Sequence, residues 1–100
     1  MDWYVDSCGE PIGINDWVHI DYKVRKNDRW IDHTFEAKIV DITEPDGDWD
    51  DENCRPINIP PYVIVEYMEN GEVLDDSFPC DYDYYKDQFV CRDIRLKIFD

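Results

Sequence analysis

An all-β domain, a small five-stranded barrel with long acidic loops, is the fold class the sequence predicts. Three observations predict it. Apolar and polar residues alternate over short runs, and no stretch makes a convincing amphipathic helix. Aromatics form 15% of the chain, so Trp, Tyr and Phe must supply much of the core, as in small β-domains. Turn signals separate the runs, Glu69-Asn70-Gly71 most clearly. Five short strands joined by turns imply a barrel, which closes its own edges. A chain of 100 residues is sized for one domain, taken as residues 13–100 with residues 1–12 as an N-terminal extension.

The first strand covers residues 17–23, with Val18, Ile20 and Tyr22 on one face and Trp17, His19 and Asp21 on the other. The second covers 35–42, where Phe35, Ala37 and Ile39 oppose Glu36, Lys38 and Val40. The third covers 62–68, with Val63, Val65 and Tyr67 on one side and Tyr62, Ile64 and Glu66 on the other. Glu69-Asn70-Gly71 then turns it into a fourth, Glu72-Val73-Leu74. A last apolar segment, 90–99, contains Ile94, Leu96 and Ile98. Three loops remain. Residues 24–34 are polar apart from Val24, Trp30 and Ile31; residues 75–88 are acidic and carry Tyr82, Tyr84 and Tyr85. Residues 43–61 are too long for a simple hairpin connection and read as a solvated acidic loop.

Twenty-five acidic residues against ten basic ones leave a net charge of −15. Such a charge repels nucleic-acid phosphate and steers cationic partners inward, so basic peptides and basic protein surfaces fit, while a duplex or an anionic membrane does not. Hydrophobic residues, 43% of the chain, come in organised runs, unlike those of a disordered acidic tail. The opening Met-Asp-Trp-Tyr-Val-Asp lacks the basic start and apolar stretch of a signal peptide, and no run reaches the ~18–20 apolar residues of a membrane-spanning helix. An intracellular protein is expected, with Cys8, Cys54, Cys80 and Cys91 as free thiols. Trp3, Trp17 and Trp49 read as structural or stay unexplained.

Chemistry-bearing motifs are scarce. The cysteines have no C-x-x-C spacing, and His19 and His33 share no helix face, which argues against zinc. Asp46, Asp48 and Asp50 alternate like part of a calcium loop, without its central glycine or closing Glu. There is no nucleophile elbow and no phosphate-binding glycine loop. The sequence predicts no catalytic residue, no metal and no cofactor.

Four motifs follow one another along the chain: Asn15-Asp16-Trp17-Val18-His19-Ile20, Phe35-Glu36-Ala37-Lys38-Ile39-Val40, Val65-Glu66-Tyr67 ahead of the Glu69-Asn70-Gly71 turn, and Arg92-Asp93-Ile94-Arg95. In that order they resemble the SH3-like, Tudor/Agenet-type barrels of the Royal superfamily of methyl-lysine readers. Cys54-Arg55-Pro56 in the insert before the third strand extends the resemblance to the first Tudor of the tandem Tudor in UHRF-type ubiquitin ligases. The resemblance covers roughly residues 13–98. It implies a nuclear module that reads a histone H3 tail methylated on lysine, with Phe35 and Tyr67 as cage aromatics. The family's third cage position falls in the shorter turn Met68-Glu69-Asn70, which holds no aromatic. A second Tudor, which helps form the family's peptide groove, does not follow within these residues, so a second Tudor or another partner protein is expected beside it.

A trimethylated ammonium donates no hydrogen bond and must rest on aromatic faces in an anionic field. Tyr22, at the end of the first strand, and Trp30, in the following loop, are candidates to complete the cage. Asp21 and Glu69, with Asn70 in the turn, are candidates for its acidic and polar rim. The rival expectation is an acidic DNA mimic or inhibitor, in which the carboxylates of 41–52 and 75–87 engage a basic, nucleic-acid-binding partner.

Overall fold

The computed structural model describes residues 4–98. Trp3 and Phe99 lie outside the described residues. The fold is all-β, with no helix among the described residues. Its strands are β1 (Tyr4–Val5), β2 (Trp17–Lys26), β3 (Arg29–Ile42), β4 (Asp46–Asp50), β5 (Arg55–Ile59), β6 (Tyr62–Glu69), β7 (Glu72–Pro79), β8 (Asp81–Asp83), β9 (Gln88–Val90) and β10 (Ile94–Lys97).

The five expected strands make one antiparallel sheet in the order β10-β2-β3-β6-β7. A closed barrel is not seen: no ladder among the described residues joins its edge strands, β10 and β7. The alternation places the predicted faces as expected. Val18, Ile20, Ala37, Ile39, Val63 and Val65 are all 0–1% exposed, and with Ile12, Phe78, Cys80, Cys91 and Ile94 they form one core. The middle strand, β3, bends the sheet. It pairs with β2 over Arg29–Lys38, then with β6 from Lys38 onward, with a register shift between Ile39 and Asp41. An irregularity of this kind kinks a strand and increases its twist.

Two of the expected loops are hairpins. Residues 24–34 are the outer halves of β2 and β3, joined at Asn27 and Asp28, whose φ angles of 51° and 62° suit a two-residue primed turn. Trp30 is thus a strand residue, not a loop residue. Residues 43–61 contain the β4–β5 hairpin, in which Asp46 pairs with Ile59 and Asp50 with Arg55. Its residues are exposed except for half-buried Asp50, so no apolar alternation announces it. β7 runs on to Pro79 instead of stopping at Leu74, and the expected last segment divides between β9 and β10. Both outer hairpins stand away from the core. They help explain a radius of gyration of 15.1 Å, against about 13 Å for a compact chain of this size.

A second, three-stranded sheet has the order β1-β9-β8, with β1 parallel to β9. It ties down residues 4–12. Val5 is buried, Ile12 belongs to the core, and Asp6 is completely buried.

Candidate functional site: an acidic aromatic cluster

Following the core alternation outward along three strands leads to three rings. Tyr22 comes next after Val18 and Ile20, Phe35 precedes Ala37 and Ile39, and Tyr67 follows Val63 and Val65. Each is half-buried and packs against the core. Phe35 and Tyr67 lie 4.3 Å apart between centroids at 39°, and Tyr22 meets Phe35 edge-on at 6.2 Å and 86°. Phe78 of β7 supports Tyr22 from the core side at 5.5 Å, while His33 stacks on Tyr22 at 5.4 Å. With Phe35 and Tyr67 in contact, a cation has to rest on the open side of the trio, within about 6 Å of the ring centroids.

The surroundings are acidic. On β7 the alternation Leu74, Asp76, Phe78 puts a carboxylate where an apolar residue would continue the core face, and Asp76 is half-buried opposite Val65. Burial raises the pKa of Tyr22, with the charges of Asp76, Asp93 and Glu69 adding to it. Tyr67 is raised in the same way, by burial first and then by Asp76, Tyr22, Glu69 and Asp75. Both therefore remain neutral phenols. Asp93 is itself pushed up by burial and by its neighbours Asp81 and Asp76.

The predicted site residues divide. Phe35, Tyr67 and Tyr22 come together, and Glu69 continues the inner alternation of β6 and acts on both phenols. Asn70 forms the hairpin turn with Gly71, at φ 52° and 80°. Trp30 does not join the rings. It is 67% exposed, pairs with Arg25, and by alternation sits on the other face of β3, about 17 Å along the strand from Phe35. Asp21 also points away, into a cleft with His19, Thr34, Arg95 and Leu96, and its backbone N–H donates to the Asp93 carbonyl at 2.8 Å. Sequence reasoning missed Asp76, Phe78 and Asp93. Reading the 74-76-78 alternation past Leu74 would have found the first two; Asp93 has no local signal.

No family model, curated protein or solved structure matches the chain.

A separate aromatic group occupies the small sheet. Tyr4 stacks on Phe89 at 5.6 Å, and Tyr82 meets Phe89 and Tyr84 edge-on at 5.2 and 4.8 Å. With Pro45, Ile59, Pro60 and Cys80, the rings of Tyr82, Tyr84 and Phe89 line a cleft of about 460 Å³ at the base of the β4–β5 hairpin. Tyr82 donates a hydrogen bond to Asp87, and Arg92 pairs with Asp81 at 2.7 Å.

Proposed function

We propose that this protein is a binding module of the methyl-lysine reader type: a Tudor-like barrel that takes a methylated lysine of a basic peptide, with the histone H3 tail as the leading candidate. The observation that carries this reading is the convergence of Tyr22, Phe35 and Tyr67 beside Asp76 and Glu69. The sheet order supports it, since a meander whose last strand returns to pair with the first needs only its edges drawn together to make a barrel. A nuclear location belongs to the same proposal.

The rings supply faces for the methyl groups, each cation–π contact contributing about 0.5–2 kcal/mol. Asp76 supplies the field, and its carboxylate can accept a hydrogen bond from an ammonium that still carries a proton. The β2–β3 arm continues directly beyond Tyr22 and His33 and holds Lys23, Arg25, Lys26 and Arg29 against only Asp28 and Asp32, an excess of positive charge. A cationic peptide is therefore repelled on that side and approaches along β6 and β7, where Glu69, Asp75 and Asp76 lie. Micromolar affinity, about −8 kcal/mol, is the scale such a site reaches once peptide backbone contacts are added.

Calorimetric titration with H3 peptides, unmodified and lysine-methylated, tests the reading. We expect methylation to tighten binding at least about tenfold, or 1.4 kcal/mol. Phe35→Ala and Tyr67→Ala should each remove that gain while the protein stays folded by circular dichroism. A second reading has its own support. Asp46, Asp48 and Asp50 share one side of the β4–β5 hairpin at intervals of about 7 Å, a row of carboxylates suited to a basic, nucleic-acid-binding protein. Binding that ignores methylation and collapses with salt would favour it.

A further inference from the structure

Cys80 and Cys91 are buried, at 2% and 0% exposure, whereas Cys8 and Cys54 are exposed. The last pair of the β8–β9 ladder is Asp81 with Val90. One step further, the same register sets Cys80 opposite Cys91. Neither backbone N–H is used across that step: Cys80 donates to the Pro61 carbonyl at 2.9 Å and Cys91 to the Val5 carbonyl at 3.0 Å. This is the pattern of a non-hydrogen-bonded antiparallel pair, where side chains approach closely and Cα atoms are about 4.5 Å apart. A disulfide spans about 4.4–6.8 Å between Cα atoms. The two thiols are close enough to act on each other, raising the proton affinity of Cys80 and lowering that of Cys91.

We propose that Cys80 and Cys91 form a reversible disulfide site, closed by exchange with a low-molecular-weight disulfide. Cys80 lines the cleft beneath Pro45, Ile59 and Phe89, so it meets the reagent first. Cys91, the thiol with the lowered proton affinity, ionises first and takes the Cys80 proton as the Cys80 sulfur attacks one sulfur of the small disulfide. One small thiolate leaves, and a mixed disulfide remains on Cys80. Cys91 ionises again, and its thiolate attacks the Cys80 sulfur and expels the second small thiolate. The two protons lost by the cysteines end on the two released thiols. The reagent gains two electrons and the protein pair loses two. Asp81 and Asp93 place negative charge around the pair, so a neutral or cationic disulfide reacts in preference to an anionic one.

The bond has a specific structural effect. Cys80 directly follows the edge strand β7, and Cys91 lies just ahead of the opposite edge strand β10. Oxidation therefore links by a covalent bond two edges that no ladder joins among the described residues. Phe78 and Asp93, two residues from each sulfur along the chain, belong to the aromatic cluster. The disulfide does not depend on what that cluster binds.

The test uses the full chain as Cys8→Ser/Cys54→Ser, which leaves the buried pair as its only thiols. It is treated with bis(2-hydroxyethyl) disulfide, unfolded in N-ethylmaleimide and weighed intact. We expect no reagent adduct and no maleimide adduct, a peptide map linking Cys80 to Cys91, and a urea midpoint that rises on oxidation and returns with dithiothreitol. A mixed disulfide that persists on either cysteine overturns the proposal. So do two alkylated thiols after exchange both in buffer and in urea below the unfolding transition. In the unsubstituted chain, a link involving Cys8 or Cys54 in place of the buried pair would also overturn it.

Discussion

Asp6 shows how much one side chain can organise. It is completely buried and has three backbone partners. One carboxylate oxygen accepts from the N–H groups of Cys8 and Glu10 at 2.8 and 2.9 Å, and the other accepts from Lys97 at 2.9 Å. It thereby fastens the turn after β1 to the end of β10. Asp6→Ala leaves three donors to find new acceptors, and we predict a loss of about 3 kcal/mol in urea unfolding. Asp6→Asn should recover only part, because its amide NH₂ would face an N–H. Asp93 presents the opposite case. The folded protein binds its proton more tightly than the unfolded chain does, so this group removes stability as pH rises above its ordinary value of 3.8. We predict that Asp93→Asn raises the melting temperature at pH 7 and that the gain fades as pH falls through the raised folded value toward 3.8. Neither residue was legible in the sequence: partners of Asp6 are main-chain groups, and those of Asp93 are distant along the chain.

At the scale of elements, legibility followed burial. Val18 and Ile20, Ala37 and Ile39, and Val63 and Val65 each sit on a face sealed by the core, and a sealed face imposes a period of two on the sequence. The outer half of the β2–β3 hairpin and the whole β4–β5 hairpin bury almost nothing, so their sequences carry no such period. Their remaining signal is turn chemistry, and Asn27-Asp28 speaks more softly than Asn-Gly. That weakness can be tested. Asp28 holds φ at 62°, a region glycine enters without the steric cost of a Cβ. Relief of a left-handed penalty of about 1–2 kcal/mol, less an entropy cost of glycine of about 0.4–1 kcal/mol, means that Asp28→Gly should stabilise the arm modestly, even after losing the exposed Arg25–Asp28 pair at 3.5 Å. Slower hydrogen exchange at the strand amides around Arg25 and Trp30, with global unfolding barely changed, is the expected readout. Tyr22, Phe35 and Tyr67 were legible as the ends of sealed faces. Trp30 was misplaced because its strand was read as a loop.

At the scale of the molecule, a net charge of −15 works against compactness. Salt should relieve that repulsion. Between about 0.01 and 1 M salt the Debye length falls from about 30 to 3 Å, and we predict that the melting temperature rises across this range while affinity for a basic peptide falls. A melting temperature that drops with salt would mean that ion pairs such as Arg92–Asp81 outweigh the general repulsion. The β4–β5 hairpin has one more consequence, for what can be attached to this domain. Its turn, residues 51–54, is exposed and remote from the core cluster. A fluorophore, an epitope or a second folded domain can be spliced in there without disturbing the residues that hold the sheet together, and a protease will find its first cut in the same place. The arm is a socket that the fold already holds out to solvent.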